Sequence, residues 1–467
     1  MWRNKLRSFV VITAVTVGIF GAIYSYALMN GLINQKIVST INFETSHIQI
    51  HHPKFKQNKE PYFLIENAQK IVEGISKIPE VDEVTRRMIF LSLANTSNSS
   101  TAVLVCGINP EIEKKITNIY SSIQDSSGGY FNSEKDNQLL ISVSLSDKLQ
   151  LSNFEISENT LKELYEKDVP EKIISKISVL QDIKFRSKKD FKDTLKYIIG
   201  KKLAKEFEYP IITYSRGYKL KSNIILKMQD FNGNFVEKAF KIGGVYSTGN
   251  DLFDDVNVFV RNEEILDLLN YNSEDSHQIT ILLKDEKNVD NVVSQLKIKY
   301  PELQIQSWGE LKPVIILIKK WITISYFFLI GIILLALGFG IVNTMLMTVL
   351  ERVKEFGMLI AIGMNKKKVF KMIMLESIFL SATGGITGLI ISAIIVEIYG
   401  KQGHDFTRWI GQGYQTIGFD AIIYPNLDIL HYCGVVILVV LTGIIAAVYP
   451  AKKALKLSPV EALKTDA

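Results

Sequence analysis

Few residues in this chain could do chemistry. His47, His51 and His52, with Glu44 beside them, form the one group with the makings of a metal site. In a strand, adjacent His51 and His52 face opposite sides, so at most one of them shares a face with His47. No tetrahedral ligand set is evident, and a strand-edge or surface role is expected. Cys106 and Cys433 are the chain's two cysteines, too few for a disulfide scaffold. Each is expected to be a small buried hydrophobe. No H-E-x-x-H, G-x-S-x-G or C-x-x-C occurs, and no G-x-x-x-x-G-K-S/T phosphate loop. No catalytic, metal or cofactor residue is therefore assigned, and the chain is not expected to hydrolyse ATP itself. Glu376 is the remaining carboxylate of interest. It is expected at the start of an apolar helix, favoured by the positive end of the helix dipole.

The elements that would position these groups follow from composition. The chain has 467 residues, 47% of them hydrophobic, and a mean hydropathy of +0.15. That value suits a few very apolar segments joined to a large polar domain. With 24 Phe and 19 Tyr to bury, disorder is excluded, and a net charge of +6 is too small to argue for nucleic acid. Four stretches hold no Asp, Glu, Lys or Arg: Ser8–Gln35, Trp321–Leu350, Ser377–Val396 and Ile429–Ala451. Each is long enough to cross a bilayer, which takes roughly 20 apolar residues. Cleavage of the first as a signal peptide is disfavoured, because no A-x-A site closes it.

Arg3, Lys5 and Arg7 precede the first span, and segment 351–371 has six basic residues against two acidic ones. Excess positive charge marks the cytoplasmic side. Both termini and the 351–371 loop are thus expected inside the cell, with residues 36–320 outside. The expected fold class is a membrane protein with four transmembrane helices (1 + 3) and a large mixed α/β extracytoplasmic domain. Strands are expected at His47–His51, Thr101–Cys106, Asn223–Met228, Ala239–Val245 and Gln278–Lys284, and helices at Phe63–Ile78, Glu111–Ile123, Glu158–Ile177 and Asn288–Tyr300. Gln278–Trp308 has the size of half a split βαβ unit, and Ile48–Phe90 is its natural partner. The domain is therefore expected in two parts, a porter-like piece built from both ends and a distal β-rich piece between. Residues 148–196 look like a helical excursion. Asn232-Gly233 marks a hairpin, and Gly128-Gly129, Gly217 and Gly243-Gly244 mark turns.

Gly384, Gly385 and Gly388 suit close packing of the third span. The second uncharged run exceeds the hydrocarbon thickness, and Val314–Ile318 extends its apolar pattern outward. In the loop, Gly363 suits a helix C′ position and Asn365 an N-cap. Two helices should meet there, with Phe356, Leu359, Ile360 and Ile362 as apolar surface beside Arg352, Lys354 and Glu355. An interfacial helix lying on lipid and a docking element for a protein groove fit equally well. Pro450 is expected to stop the fourth span. Ser458-Pro459-Val460-Glu461 reads as a capping box opening a tail helix.

Met1–Ser8, Glu351–Gly363 (E-R-V-K-E-F-G-M-L-I-A-I-G) and Tyr449–Leu463 (Y-P-A-K-K-A-L-K-L-S-P-V-E-A-L) resemble the signatures of FtsX/MacB-type ABC transporter permeases. The resemblance implies an N-terminal span within 1–35, a MacB-like periplasmic core domain at 36–320 and an FtsX-like permease domain at 321–467. It implies that Glu351, Arg352, Lys354, Glu355, Phe356, Gly357, Leu359, Ala361 and Gly363 form the coupling element, with Pro450, Ala451, Pro459, Glu461 and Leu463 as the tail motif of segment 450–467. The implied partners are a cytoplasmic ABC ATPase dimer that holds the ATP and Mg²⁺, and a second permease copy or paralogue in the lipid membrane. Within that group the chain is most similar to the lipoprotein-releasing LolC/LolE type. The reasons are Met29-Asn30-Gly31, Gly107–Glu111 (G-I-N-P-E) and Gly243–Asp254 (G-G-V-Y-S-T-G-N-D-L-F-D). That similarity implies lipoprotein cargo, a periplasmic carrier and an inner-membrane location. Extrusion of a peptide or drug, activation of an extracytoplasmic hydrolase, and a non-transporting membrane sensor are the competing readings.

Overall fold

A computed structural model describes residues 5–132, 137–166, 169–220, 222–406, 419 and 421–456. Four helices are long and apolar enough to cross a membrane. They are TM1 (Lys5–Ser39), TM2 (Pro313–Glu351), TM3 (Lys366–Gln402) and TM4 (Ile429–Lys456). TM2 is continuous through Lys319 and Lys320, as its outward apolar pattern indicates. TM4 does not stop at Pro450. The proline is inside the helix, where it costs one backbone bond and does not end the run.

The chain divides into two compact units. One takes the chain up to Gln35, Val314–Asp405 and Ile422 onward; the other takes Lys36–Pro313 and Phe406–Ala421. In the helical unit the core draws Val15 and Ile19 from TM1, Tyr326 and Met345 from TM2, Ile373 and Leu380 from TM3, and Val439 and Ala451 from TM4. Small residues decide how closely the helices approach. A Cβ on Gly384 would meet the Val15 side chain and the Ile12 carbonyl, and one on Gly388 would meet the Thr16 carbonyl. The Thr16 hydroxyl bonds the Gly384 carbonyl at 3.2 Å, and Ser377 Oγ donates to the Gly443 carbonyl at 3.2 Å. The expected small-residue packing of TM3 is therefore met by TM1, with TM4 on another side. Gly384→Val should cost the helical unit about 1–3 kcal/mol by overpacking, read as a lower melting temperature in detergent. Gly331→Ala should be neutral, because nothing lies within 4 Å of a Cβ there.

The other unit carries strands β1 (Ile48–His51), β2 (Val81–Asn95), β3 (Ser100–Ile108), β4 (Ile123–Gly128), β5 (Gln138–Ser142) and β6 (Ser152–Phe154). These are followed by β7 (Arg216–Tyr218), β8 (Asn223–Gln229), β9 (Phe235–Tyr246), β10 (Asn257–Arg261), β11 (Gln278–Leu283) and β12 (Gln304–Ser307). Strands β12, β1, β11 and β2 lie side by side in that order, all antiparallel. Helix Ala68–Ile75 links β1 to β2 and helix Val289–Lys299 links β11 to β12. This is the expected split βαβ pair, assembled from the two ends of the domain. The far half of β2 continues into a second structure. β2 pairs β3, β3 pairs β10, β10 pairs β5, β5 pairs β9, β9 pairs β8, and β8 returns to β2. Six strands thus close into a ring around Phe90, Val105, Ile141, Leu226, Phe240 and Val258, which leaves those strands no free edge.

Several local expectations change. The helix expected over Phe63–Ile78 shortens to Ala68–Ile75, and that over Glu111–Ile123 to Pro110–Ile116. Glu158–Ile177 is two helices, Glu158–Glu166 and Glu171–Ile177, with Pro170 capping the second. The excursion runs from Ser152 to Tyr218, and further helices at Lys188–Ile199 and Lys201–Tyr214 give it its own core around Phe154, Ile177, Phe191 and Ile211. Gly243 and Gly244 are inside β9 and not in a turn; a Cβ on Gly244 would strike the Gly129 backbone. Asn232-Gly233 does sit in the β8–β9 hairpin, with Gly233 at φ +85°.

Candidate functional site

The segment between TM2 and TM3 is built as a short helix pinned at one end and exposed at the other. After Glu351 the chain leaves helical geometry at Arg352, and a new helix covers Val353–Ala361. The helix ends in a Schellman motif. Gly363, at φ +99°, donates its N–H to the Ile360 carbonyl at 3.0 Å, and Met364 donates to the Leu359 carbonyl at 2.9 Å. Asn365 then caps TM3, its side chain accepting from the Lys367 amide at 2.9 Å. Both ends of the turn are thus as Gly363 and Asn365 require.

Arg352 is the pin. Its Nε donates to Glu355 Oε2 at 2.9 Å and its Nη1 to Glu376 Oε2 at 3.2 Å, while the guanidinium carbon lies 5.1 Å from the Phe356 ring centre. Glu376 lies well inside TM3, ten residues beyond its first residue Lys366, and the dipole effect fades within the first turn. The expected dipole account of Glu376 is therefore replaced by a charge-assisted pair with Arg352. Phe356 and Gly357 are buried, and Leu359 and Ile360 pack against the membrane core. They belong to the protein's interior, contrary to the expectation that Phe356, Leu359 and Ile360 form outward surface. A nine-residue helix has one apolar face to give, and the bundle takes it. The outward side is formed by Lys354, Met358, the run Ala361–Lys368 and, within that run, Ile362 at 79% exposure. Lys366 Nζ reaches the Leu455 carbonyl at 3.4 Å, so the end of TM4 borders this surface. Pro450 and Ala451 are buried on TM4. Pro459, Glu461 and Leu463 lie outside the described residues.

Elsewhere in the helical unit, the Asn30-Gly31 step meets the segment that leads into TM4. Asn30 Nδ2 donates to the Asn426 carbonyl at 3.0 Å, and a Cβ on Gly31 would collide with the Tyr424 carbonyl. Gln35 bonds Ile422 O at 3.0 Å and the Tyr424 amide at 3.2 Å. In the extracytoplasmic unit, Glu44 collects three partners. Lys312 Nζ, one residue before TM2, lies at 2.5 Å; Lys36 Nζ, in the last turn of TM1, at 3.9 Å; and Asn250 Nδ2 at 2.5 Å. Two of the three segments quoted for the LolC/LolE similarity thus hold structural junctions, which their sequence does not reveal.

The remaining candidates are structural. His51 is buried in β1, an interior strand, and His47 is buried just before it, so neither is at a surface or edge. Burial holds the His51 imidazole down to about 4, and that of His277 likewise. Among the described residues no group of His, Cys, Asp or Glu could hold a metal. Cys106 is buried, its thiol pushed up to about 12 by burial, whereas Cys433 is exposed on TM4 and is not a buried hydrophobe. Burial also pushes the Asp254 carboxyl up to about 7, although the Thr248 hydroxyl and amide bond it at 2.7 and 3.0 Å. The folded state then prefers the neutral acid, and the unfolded chain ionises above 3.8. Asp254's contribution to stability should accordingly fall as pH rises from about 4 to about 7. His51 and His277 act in the opposite sense, so the check is the difference in melting temperature between parent and Asp254→Asn across that window. That difference should grow toward neutral pH in favour of the variant.

Residues 327–459 match the model of the FtsX-like permease C-terminal family. The resemblance read in Glu351–Gly363 is thereby matched over this part of the chain, which is similar to FtsX-like permease C-terminal domains. Over 254 residues, 53% of the chain, the protein is 26% identical to an uncharacterized ABC transporter permease of Methanocaldococcus jannaschii, spanning 59% of that protein. It is 33% identical over 129 residues, 28% of the chain, to the macrolide export ATP-binding/permease protein MacB of Mannheimia succiniciproducens, and spans 17% of it. The chain thus spans less than two thirds of these relatives. The extracellular domain of the transporter YknZ from Gram-positive bacteria aligns with 56% of this chain and 98% of that domain, at 9% identity and a TM-score of 0.30.

Proposed function

We propose that this chain is the membrane subunit of an ABC transporter, driven by an ATPase that binds ATP and Mg²⁺ elsewhere than in the described fold. The observation that carries this reading is the helix–turn at 353–368. It is locked by Arg352 and Phe356 into the helical core on one side, and it presents Met358, Ile362 and Met364 among lysines on the other. Exposed apolar anchors rimmed by charge fit a protein groove, and the firm inner face would pass a push on the turn into TM2 and TM3. The positive charge at 351–371 supports a cytoplasmic turn and an extracytoplasmic 36–320 in the inner membrane. TM2 buries about half as much of its apolar stretch within this chain as the other spans do, which supports a second permease copy or paralogue against it.

For cargo we infer an amphipathic or lipid-borne molecule taken from the bilayer. The relatives named for macrolide and pyoverdine export support a small exported molecule. An acylated lipoprotein handed to a carrier is the second reading, favoured by the junctions that Asn30, Gly31 and Asn250 form in the segments similar to LolC/LolE. Depletion in the host separates them. Retention of triacylated lipoproteins in the inner membrane supports release, whereas normal sorting with raised macrolide sensitivity supports export. The coupling assignment has its own test. Ile362→Asp should lower the amount of P-loop ATPase that co-purifies with the full chain at least about tenfold, because it places a carboxylate in an apolar contact. Unchanged stoichiometry and unchanged ATP hydrolysis would reject the docking role.

A further inference from the structure

Charge in the extracytoplasmic unit is unevenly placed. Between Lys184 and Lys205 there are nine Lys or Arg against two Asp, whereas the rest of 36–313 holds 28 basic residues against 37 acidic ones. The segment folds as a helical hairpin, Lys188–Ile199 and Lys201–Tyr214, turning at Gly200 with φ +86°. Phe191, Leu195 and Ile199 on one arm and Ala204 and Ile211 on the other are buried in the excursion's own core, and Lys192 ties the arms by pairing Glu208 at 2.8 Å. The hairpin is therefore a formed element with a defined tip. Its tip carries Lys196, Lys201, Lys202 and Lys205, and no acid occurs from Thr194 to Lys205. Among these lysines stand Tyr197, 90% exposed, and Leu203.

We propose that this tip docks on an anionic lipid bilayer. Lys196 is shared with Asp193 at 3.6 Å, and Lys201, Lys202 and Lys205, with Glu206 after them, leave the tip a net positive patch that is relieved by a polyanionic surface. The cations are all lysine, a residue depleted from protein–protein interfaces and suited to diffuse attraction at charged headgroups. A tyrosine and a leucine held out among lysines match an element that rests in the headgroup layer, where an aromatic ring with a polar tip is at home. A soluble polyanion would use the charges without needing Tyr197 and Leu203 exposed.

The test uses the full chain in nanodiscs of phosphatidylcholine, mixed with vesicles of phosphatidylcholine alone or with about a third phosphatidylglycerol. Co-flotation with the anionic vesicles should exceed that with the neutral ones at least about tenfold near 50 mM salt, and the excess should vanish near 500 mM. Lys201→Glu/Lys202→Glu/Lys205→Glu should abolish the excess with the melting temperature kept, and Tyr197→Ala should reduce it several-fold. Neutralising Lys366, Lys367 and Lys368 of the helical unit to Gln should leave it in place. Equal flotation on both vesicles, or a triple variant that floats like the parent, would overturn the proposal. So would displacement by soluble polyphosphate with no effect of Tyr197→Ala, which would give the patch to a polyanion in solution.

Discussion

On the coupling role proposed above, Arg352→Glu is expected to cut ATP hydrolysis by the chain with its proposed ATPase at least about tenfold while the chain still reaches the membrane. Arg352 makes two charge-assisted hydrogen bonds, to Glu355 and Glu376, and lies on the Phe356 ring. Such bonds are worth about 1.5–3 kcal/mol each. Reversal places a third carboxylate beside two existing ones and frees the helix Val353–Ala361 from TM3. The double change Arg352→Glu/Glu355→Arg separates local from transmitted effects. It restores an opposite pair on the short helix and leaves Glu376, in TM3, without its original cation. Recovery of hydrolysis in the double variant would mean that the bond to TM3 carries nothing. Continued loss, with the short helix intact by cysteine accessibility, would place the coupling in the link to Glu376.

Arg87→Met is expected to be the most destabilising single change in the extracytoplasmic unit, at about 3–5 kcal/mol. Arg87 and Glu113 are buried and meet in a bidentate pair, at 2.5 and 3.2 Å, with Thr117 Oγ1 adding a third bond to Glu113 at 3.0 Å. Removing the arginine leaves a carboxylate without compensation in the interior. The paired replacement Arg87→Met/Glu113→Leu should recover most of the loss, since an apolar pair of similar volume has no charge to desolvate. Urea titration of the full chain, followed by a probe in the extracytoplasmic unit, reads both. A double variant no better than the single one would show that the pair holds helix Pro110–Ile116 to β2 in a way that packing cannot replace.

These two sites also mark where the sequence can and cannot be read. The four spans are legible because a soluble core helix rarely stays free of charge over 20 residues or more. The turn after Ala361 is legible because Gly363 and Asn365 each satisfy one end of a helix. The split βαβ pair is legible from strand and helix spacing at the two ends of the domain. Strand β2 is not, because Asp82, Glu83, Arg86 and Arg87 disguise it as a polar segment. Its buried arginine makes sense only beside Glu113, and no periodicity announces that partner. Phe356 is hard to place for a similar reason. A short amphipathic helix shows that it has an apolar face, but not whether the face points to a partner or to its own chain. Glu376 invites an account from its own helix, when its nearest cation is on the loop before that helix.

The ribbon of β6 and β7 has a consequence of another kind. Ser152 pairs with Tyr218 and Phe154 with Arg216, so the helical segment between them leaves and returns at a single point on the domain. Among the described residues, the buried core of the ring takes nothing from 155–215, and the module's core takes nothing from the six strands. Such an attachment behaves like a socket: a lineage can gain, lose or exchange the module in one genetic event, and a short turn between β6 and β7 would seal the gap. Versions of this protein adapted to different cell surfaces would then differ most in the module and least in the ring that carries it.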